Sequence, residues 1–424
     1  NTQLSKDRRA PQKGARFFIF HRPDLPASPR RMQTALILII ALAVAGLLIW
    51  PPLAKSTLWR AAITPLASII GSGFLVLGPV LHHAFGAYAA LAMAVLCALA
   101  WGFSRAIAHN ILRLAEGSRR PIEIWLDRAA SWALAFAYMV SVAYYLNLFG
   151  AFAARLTPVT DPHAARWITT GALGFIVILG LAHGFHALER VEQISVGIKL
   201  AVIAGLLGAL WLALGTDMLD GQGVILTPAT ETGPAALFLV FGLIVTVQGF
   251  ETVRYMGAEY DPALRIRAMH MALLIATLIY MAYLLPLSLI FTPDPQAVSE
   301  TAIIDMMGRL APILAPLLMI AALSAQFSAA LADTGGSGGL LAELTRDRID
   351  ARQGYVILGA VALILTWVGD VFYIIGYASR AFAFYYALQA AIAAAGAGNW
   401  PKRLFFIAMA LLGGAITLFG TSVE

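Results

Sequence analysis

The residues able to do chemistry in this chain are few, and they sit where charge and backbone polarity are costly. Lys199 lies in the apolar run Ile198-Lys199-Leu200-Ala201-Val202. Counted from Arg190, it stands about nine residues, or about 13 Å, along a helix. Burial disfavours the charged form of an amine, which brings proton gain and loss within reach near neutral pH. The other reading is a stem that reaches back to the interface and keeps its ammonium in water. Glu251, in Gly249-Phe250-Glu251-Thr252, is a second charge in an apolar setting, and such a group is a functional candidate whose partner has to be named. It serves either gating and binding of a substrate amine, or a simple pair with Arg254 one turn on. Arg380 lies about nine residues into another apolar stretch and needs an acid or an anionic substrate; Asp333 and Glu251 are the candidates.

Backbone can do chemistry too. Ile69-Ile70-Gly71-Ser72-Gly73-Phe74 falls in the middle of an apolar segment running from about residue 61 to 81. A helix in lipid has no water to satisfy its backbone, so two glycines around a serine at mid-depth are a costly break, kept where backbone lines a cavity. Unwinding there frees the amides of Ser72 and Gly73, which with the positive end of the following half-helix suit a carboxylate. Gly73 lets backbone approach closely. Tight helix packing is the alternative, although Gly-x-Gly is the wrong spacing for small-xxx-small contacts. Ser324 and Ser328 share a helix face, as ligands or as serines bonding back into their own helix. Tyr144, Tyr145 and Asn147 are cavity-lining candidates or packing residues, and His82 and His83 read as exposed loop histidines.

The elements that position these groups are membrane helices. Of 424 residues 60% are hydrophobic and 12% charged, with a mean hydropathy of +0.79. A soluble domain carries roughly 25% charge, and here apolar runs near 20 residues recur along the whole chain. Twelve segments are expected, at about 33–50, 60–82, 86–108, 129–154, 167–185, 192–214, 235–256, 268–291, 310–333, 354–368, 371–396 and 404–420. The net charge of +6 sits between spans and is no sign of nucleic-acid binding. Cys97 is the only cysteine, so an intrachain disulfide is excluded, as is a metal site built on cysteines. HExxH is missing as well, and the glycine motif does not follow a strand, so neither a metal nor a dinucleotide cofactor is expected.

Basic residues set the orientation. Arg105, Arg113, Arg119, Arg120, Arg128, Arg265, Arg267, Arg346, Arg348, Arg352, Lys402 and Arg403 fall in alternate linkers, while the others hold Arg155, Arg166 and Arg309 beside several acids. The basic side is cytoplasmic. Residues 1–31 conflict with this, because their eight lysines and arginines would begin outside. Either this tail is an upstream extension before Met32, or it is a cytoplasmic tail and the 33–50 segment does not fully cross.

Segments two to six cover about 60–214 and segments seven to eleven about 235–396, two blocks of five nearly equal in length. Five is odd, so the second block is inverted relative to the first. Each opens on a helix with central glycine, Gly71 and Gly73 in one and Gly249 in the other. Paired interrupted helices in inverted repeats point to a binding site.

Ile70-Gly71-Ser72-Gly73-Phe74 with Gly78-Pro79 resembles the first core helix of the amino acid–polyamine–organocation superfamily. Gly249-Phe250-Glu251-Thr252, ending in Asp261-Pro262, is similar to its sixth helix. The run around Lys199 is similar to its fifth, and Ala322-Leu323-Ser324-Ala325-Gln326-Phe327-Ser328 to its eighth. The resemblance covers about 60–420 and implies an all-α membrane bundle with the five-plus-five inverted repeat of leucine-transporter-like proteins. The 33–50 and 404–420 helices lie outside the repeat. In proton-coupled members a lysine here takes the place of sodium, which implies an ammonium bridging carbonyls at Ala67 and Ile70 to the hydroxyls of Ser324 and Ser328. Substrate would be held at Ile70, Gly71, Ser72, Gly73, Gly249, Phe250, Glu251 and Tyr144, with Arg254, Asp333 and Arg380 as an intramembrane charge network.

Together these observations point to a secondary active transporter in the lipid bilayer, of the bacterial inner membrane type. Its expected partners are a proton and a small molecule, an amino acid or related amine, with no cofactor and no catalytic group. Sodium coupling through Ser324 and Ser328, or a sensor on the same fold, are the competing readings.

Overall fold

A computed structural model of the chain describes residues 27–422 except 72, 118, 160, 162, 184–188, 222 and 293–298. Helix α1 (Ala27–Ile49) is followed by the single turn α2 (Pro51–Ala54). The next crossing is split into α3 (Thr57–Ile69) and α4 (Gly73–Phe85), and α5 (Ala89–Ala115), α6 (Pro121–Ala154), α7 (Ala164–His183) and α8 (Glu189–Leu219) come next. Helix α9 (Gly233–Gly242) gives way to three short 3-10 turns, Ile244–Val247, Phe250–Arg254 and Met256–Ala258. Then come α10 (Pro262–Ile290), the short α11 (Ala302–Leu310), α12 (Leu314–Thr345), α13 (Ala351–Val368), α14 (Val371–Gly396) and α15 (Trp400–Phe419).

Ten stretches among the described residues are long and apolar enough to cross a membrane. The sequence leads one to expect twelve, and the difference has one cause. The crossings at 60–82 and 235–256 are the interrupted ones, and their pieces are too short or merge with a neighbour. Helix ends follow local chemistry. Asp261, Asp350, Asp370 and Asn399 each accept a hydrogen bond from the backbone three residues on, at α10, α13, α14 and α15.

Helix α6 runs through the centre, packed along α12 and α14, with α3, α5 and α8 against α10. One end of the bundle gathers the basic linkers: Arg119 pairs with Asp127 at 2.8 Å, Arg120 donates to Ala395 O at 3.0 Å and Arg403 to Ala394 O at 3.2 Å. At the other end Arg155, just past α6, pairs with Asp305 of α11 at 2.6 Å. That guanidinium holds the Asp305 carboxyl below its ordinary range, and Arg155 is raised in turn.

Helix α1 lies against α8 and runs antiparallel to it. Gly205 faces Ile37 and Ala41, whereas Gln33 shares a crevice with Ala213 and with Leu310 and Ala311 at the end of α11. It therefore reaches from the acidic-linker end towards the basic end. Residues 1–26, most of the basic tail, lie outside the described residues, so its origin stays an expectation.

The orientation is testable by cysteine scanning with an impermeant thiol reagent. Cysteines at 116 and 347 should label only after cells are opened, and those at 156 and 219 in intact cells. Labelling of position 116 from outside would reverse the whole arrangement. Background is low because the native Cys97 is buried.

Candidate functional site at two crossed helix breaks

Where α3 ends at mid-bundle, its last four carbonyls have no turn left to accept from, and in lipid each unpaired group would cost several kcal/mol. All four are answered. Leu66 O accepts from Ile70 N and Ser68 O from Gly71 N, both at 3.0 Å, which closes the end locally. The other two look outward and take side chains from distant helices. Lys199 Nζ of α8 donates to Ala67 O at 2.6 Å, and Tyr280 Oη of α10 lies 2.8 Å from Ile69 O. Lys199 is 1% exposed, so its amine is inside the bundle and not drawn back to the interface.

The second break is treated in the same way. Ser379 of α14 donates to Gly242 O at 2.6 Å and accepts from Val245 N at 3.1 Å. Leu243 O takes Thr246 N at 3.0 Å, Val245 O takes Gln248 N at 3.3 Å, and Thr246 O lies 2.6 Å from Tyr280 Oη. Gly249 then turns the chain at φ +123°, a region that glycine adopts without a steric penalty.

The two breaks touch. A Cβ on Gly249 would lie 2.5 Å from Ser68 Cβ and 2.6 Å from Ile69 N, and one on Gly73 would lie 2.5 Å from Thr246 Cβ. These glycines let two irregular backbones cross in contact, which packing of regular helices does not require.

Glu251 is completely buried just beyond the crossing. Its Oε2 accepts from Gly249 N and from the Tyr386 hydroxyl, each at 2.9 Å, while Oε1 has no hydrogen-bond partner among the described residues. The Gln248 amide donates to the Tyr145 hydroxyl, and its own Oε1 is also without a partner among the described residues. Phe250 stacks on Tyr386 with ring centroids 5.0 Å apart, and Tyr144 is buried with its ring 5.3 Å from Tyr145.

A family model described as an APC superfamily transporter matches residues 51–420. This chain belongs to that superfamily. An uncharacterized protein of Aquifex aeolicus (strain VF5) is 39% identical over 388 residues, covering 88% of this chain and 93% of the relative. The family match begins at Pro51, just past the end of α1, so α1 lies outside the matched part of this APC transporter.

The structure brings some of the expected residues of the transporter together and separates others. Ala67 and Lys199 are bonded. The serine pair of α12 does reach α8, but its partner there is Ser195, one turn before Lys199. Ser195 Oγ lies 3.0 Å from Ser324 O and shares a hydrogen bond with the Ser324 hydroxyl, with Ser328 Oγ at 3.4 Å. Ser328 also bonds back to Ala325 O at 3.2 Å, as a helical serine commonly does. Ser72 lies outside the described residues, and the anion-binding amide expected of it lies there too. Gly71 faces α12, where a Cβ on it would lie 3.6 Å from that of Ala329.

The expected charge network of the APC transporter is corrected at three places. Arg254 does not pair with Glu251; its guanidinium meets Asp127 of α6 at the basic end. Arg380 takes neither acid and donates to Gly420 O through two nitrogens, at 2.9 and 2.7 Å, because the carbonyls at the end of α15 need donors. Asp333 accepts from the Ser141 hydroxyl of α6. Asn147 ties α6 to Thr366 of α13 at 2.8 Å and is a packing residue. His82 is buried rather than in an exposed loop, with its ring nitrogens 3.4 Å from Gly86 O and 3.0 Å from Phe291 O.

Sequence reasoning missed Tyr280, Gln248, Ser195 and Tyr386. Ser195 had a usable signal in its four-residue spacing from Lys199, which puts both on one face of α8. The others are polar groups in apolar runs, and only the crossing of the breaks gives them a role.

Proposed function

We propose that this protein is a proton-coupled secondary transporter of amino acids or related organic amines, working by alternating access in a cell membrane of the bacterial inner membrane type. The observation that carries the reading is the Lys199 amine, buried and seated on Ala67 O at the end of the first half-helix. An ammonium there holds the break together, and its loss of a proton weakens that hold, so proton binding and the shape of the break are one event. In the proton-coupled members that this chain resembles, a lysine at this place stands where sodium-coupled relatives hold the ion.

The substrate reading rests on complementary polarity. The second break ends in two buried acceptors without partners among the described residues, Glu251 Oε1 and Gln248 Oε1, and a donor-rich group such as an ammonium would satisfy them. The N-terminal end of α4 offers backbone N–H groups to a carboxylate. A molecule carrying both groups would bridge the breaks.

Reconstituted protein tests this in two steps. A thermal-shift screen of amino acids, amines, nucleobases and carboxylates identifies the ligand, since binding to the folded state raises Tm. Uptake of that ligand should follow an inward proton gradient and be indifferent to exchange of sodium for potassium. Uptake that requires sodium would refute proton coupling, and stabilisation only by carboxylates without an amine would refute the substrate class.

A further inference from the structure

Tyr280 is fully buried in α10 and contacts both breaks. Its ring packs on Phe74, in the first turn of α4, with centroids 5.8 Å apart. Its hydroxyl stands between two carbonyls freed by the two breaks, Ile69 O at 2.8 Å and Thr246 O at 2.6 Å. A phenol has one hydrogen, so the two carbonyls share it in a three-centre hydrogen bond, each branch weaker than a full bond. Neither carbonyl has another partner among the described hydrogen bonds.

We propose that Tyr280 is a positioning residue: its hydroxyl is the pin that holds the two broken half-helices in register, so that they move as one body. The proposal rests on the alternating-access reading only for its use, since the pin itself is a property of the resting fold. The single shared hydrogen keeps the pin weak. When the breaks part, the hydroxyl keeps one carbonyl as an ordinary hydrogen bond and gives up the other, so separation costs only the shared branch and leaves one buried carbonyl without its donor. Lys199, by contrast, bonds the first break through Ala67 O.

Tyr283, three residues on, supplies an internal control. Its ring lies 4.4 Å from Phe74, closer than that of Tyr280, yet its buried hydroxyl has no hydrogen-bond partner among the described residues. Removing each hydroxyl in turn changes the same chemical group in the same apolar cluster, and only one of the two changes touches the breaks.

The test is amide hydrogen exchange of the purified full chain in lipid nanodiscs, without substrate or gradient, comparing wild type, Tyr280→Phe and Tyr283→Phe. A net hydrogen bond of ordinary strength corresponds to a change of roughly twofold to tenfold in a local opening equilibrium. Tyr280→Phe should raise exchange by that factor in peptides covering 66–75 and 243–252 together, leaving α12 and α15 as in wild type. Tyr283→Phe should leave all of them unchanged. The proposal is overturned by no change in Tyr280→Phe, by a change in one break only, by an equal effect of Tyr283→Phe, or by a rise spread over all helices, which would mean that the hydroxyl serves general stability. Because no transport is measured, a failed uptake experiment leaves this result standing, and the reverse also holds.

Discussion

Lys199→Ala is expected to abolish accumulation driven by a pH gradient, a loss of more than about tenfold if the amine is the group that carries the proton. The substitution removes the donor to Ala67 O and leaves that buried carbonyl unpaired, at a cost of about 1–3 kcal/mol. Ligand-induced stabilisation can survive this, because the acceptors of the second break are untouched. Lys199→Arg separates coupling from charge. A guanidinium can still bond Ala67 O but does not deprotonate in proteins, so coupling should fail while the fold is kept. A lysine whose role is only structural would tolerate arginine, with gradient-driven uptake near the wild-type rate. Retained accumulation in Lys199→Ala would refute the assignment outright.

Gly249→Ala is expected to damage both the fold and transport. The new carbon would sit 2.5 Å from Ser68 Cβ and 2.6 Å from Ile69 N, the second of these a backbone atom that cannot swing away. The residue also has φ +123°, where an alanine is strained by about 1–3 kcal/mol. Overpacking adds about 1–3 kcal/mol. Relief requires the breaks to move apart, so transport should fall by more than about tenfold and Tm should drop. The comparison is Gly171→Ala in α7, where a methyl meets nothing within 4 Å and a helix interior gains propensity. If the two variants behave alike in Tm and uptake, contact between the breaks has no functional weight.

The breaks themselves are legible in the sequence because lipid is an unforgiving solvent for backbone. Gly71, Gly73 and Gly249 are out of place in apolar crossings unless the helix is meant to stop there, and Lys199 stands out for the same reason. What local spacing does not supply is the choice of partner across the bundle. Glu251 and Arg254 are three residues apart, yet the acid folds back on Gly249 N and inward to Tyr386 while the guanidinium leaves for Asp127. Arg380 invites a carboxylate because charges are visible in a sequence. Its partner, Gly420 O, is a main-chain atom that becomes needy only when α15 ends beside it. Tyr280 gives no signal of its own because a tyrosine in an apolar run is usually packing, and its value lies in two carbonyls that come together only in the fold.

Helix α1 gives the surrounding bilayer a handle on the lysine-bearing helix. It meets α8 through Gly205 and Gly208, and Ile37 alone is deeply buried among its described side chains, with most of the others open to lipid. Its apolar window, Met32–Ile49, is 18 residues long, about 27 Å as a helix, a little short of a typical hydrocarbon core of roughly 30 Å. Tilt of α1 lowers its reach further, so a thicker bilayer favours the upright pose and a thinner one the tilted pose, at fractions of a kcal/mol per Å. Because α8 presents bare backbone to that helix at two glycines, a change in membrane thickness is felt as a sideways force on the element that holds Lys199.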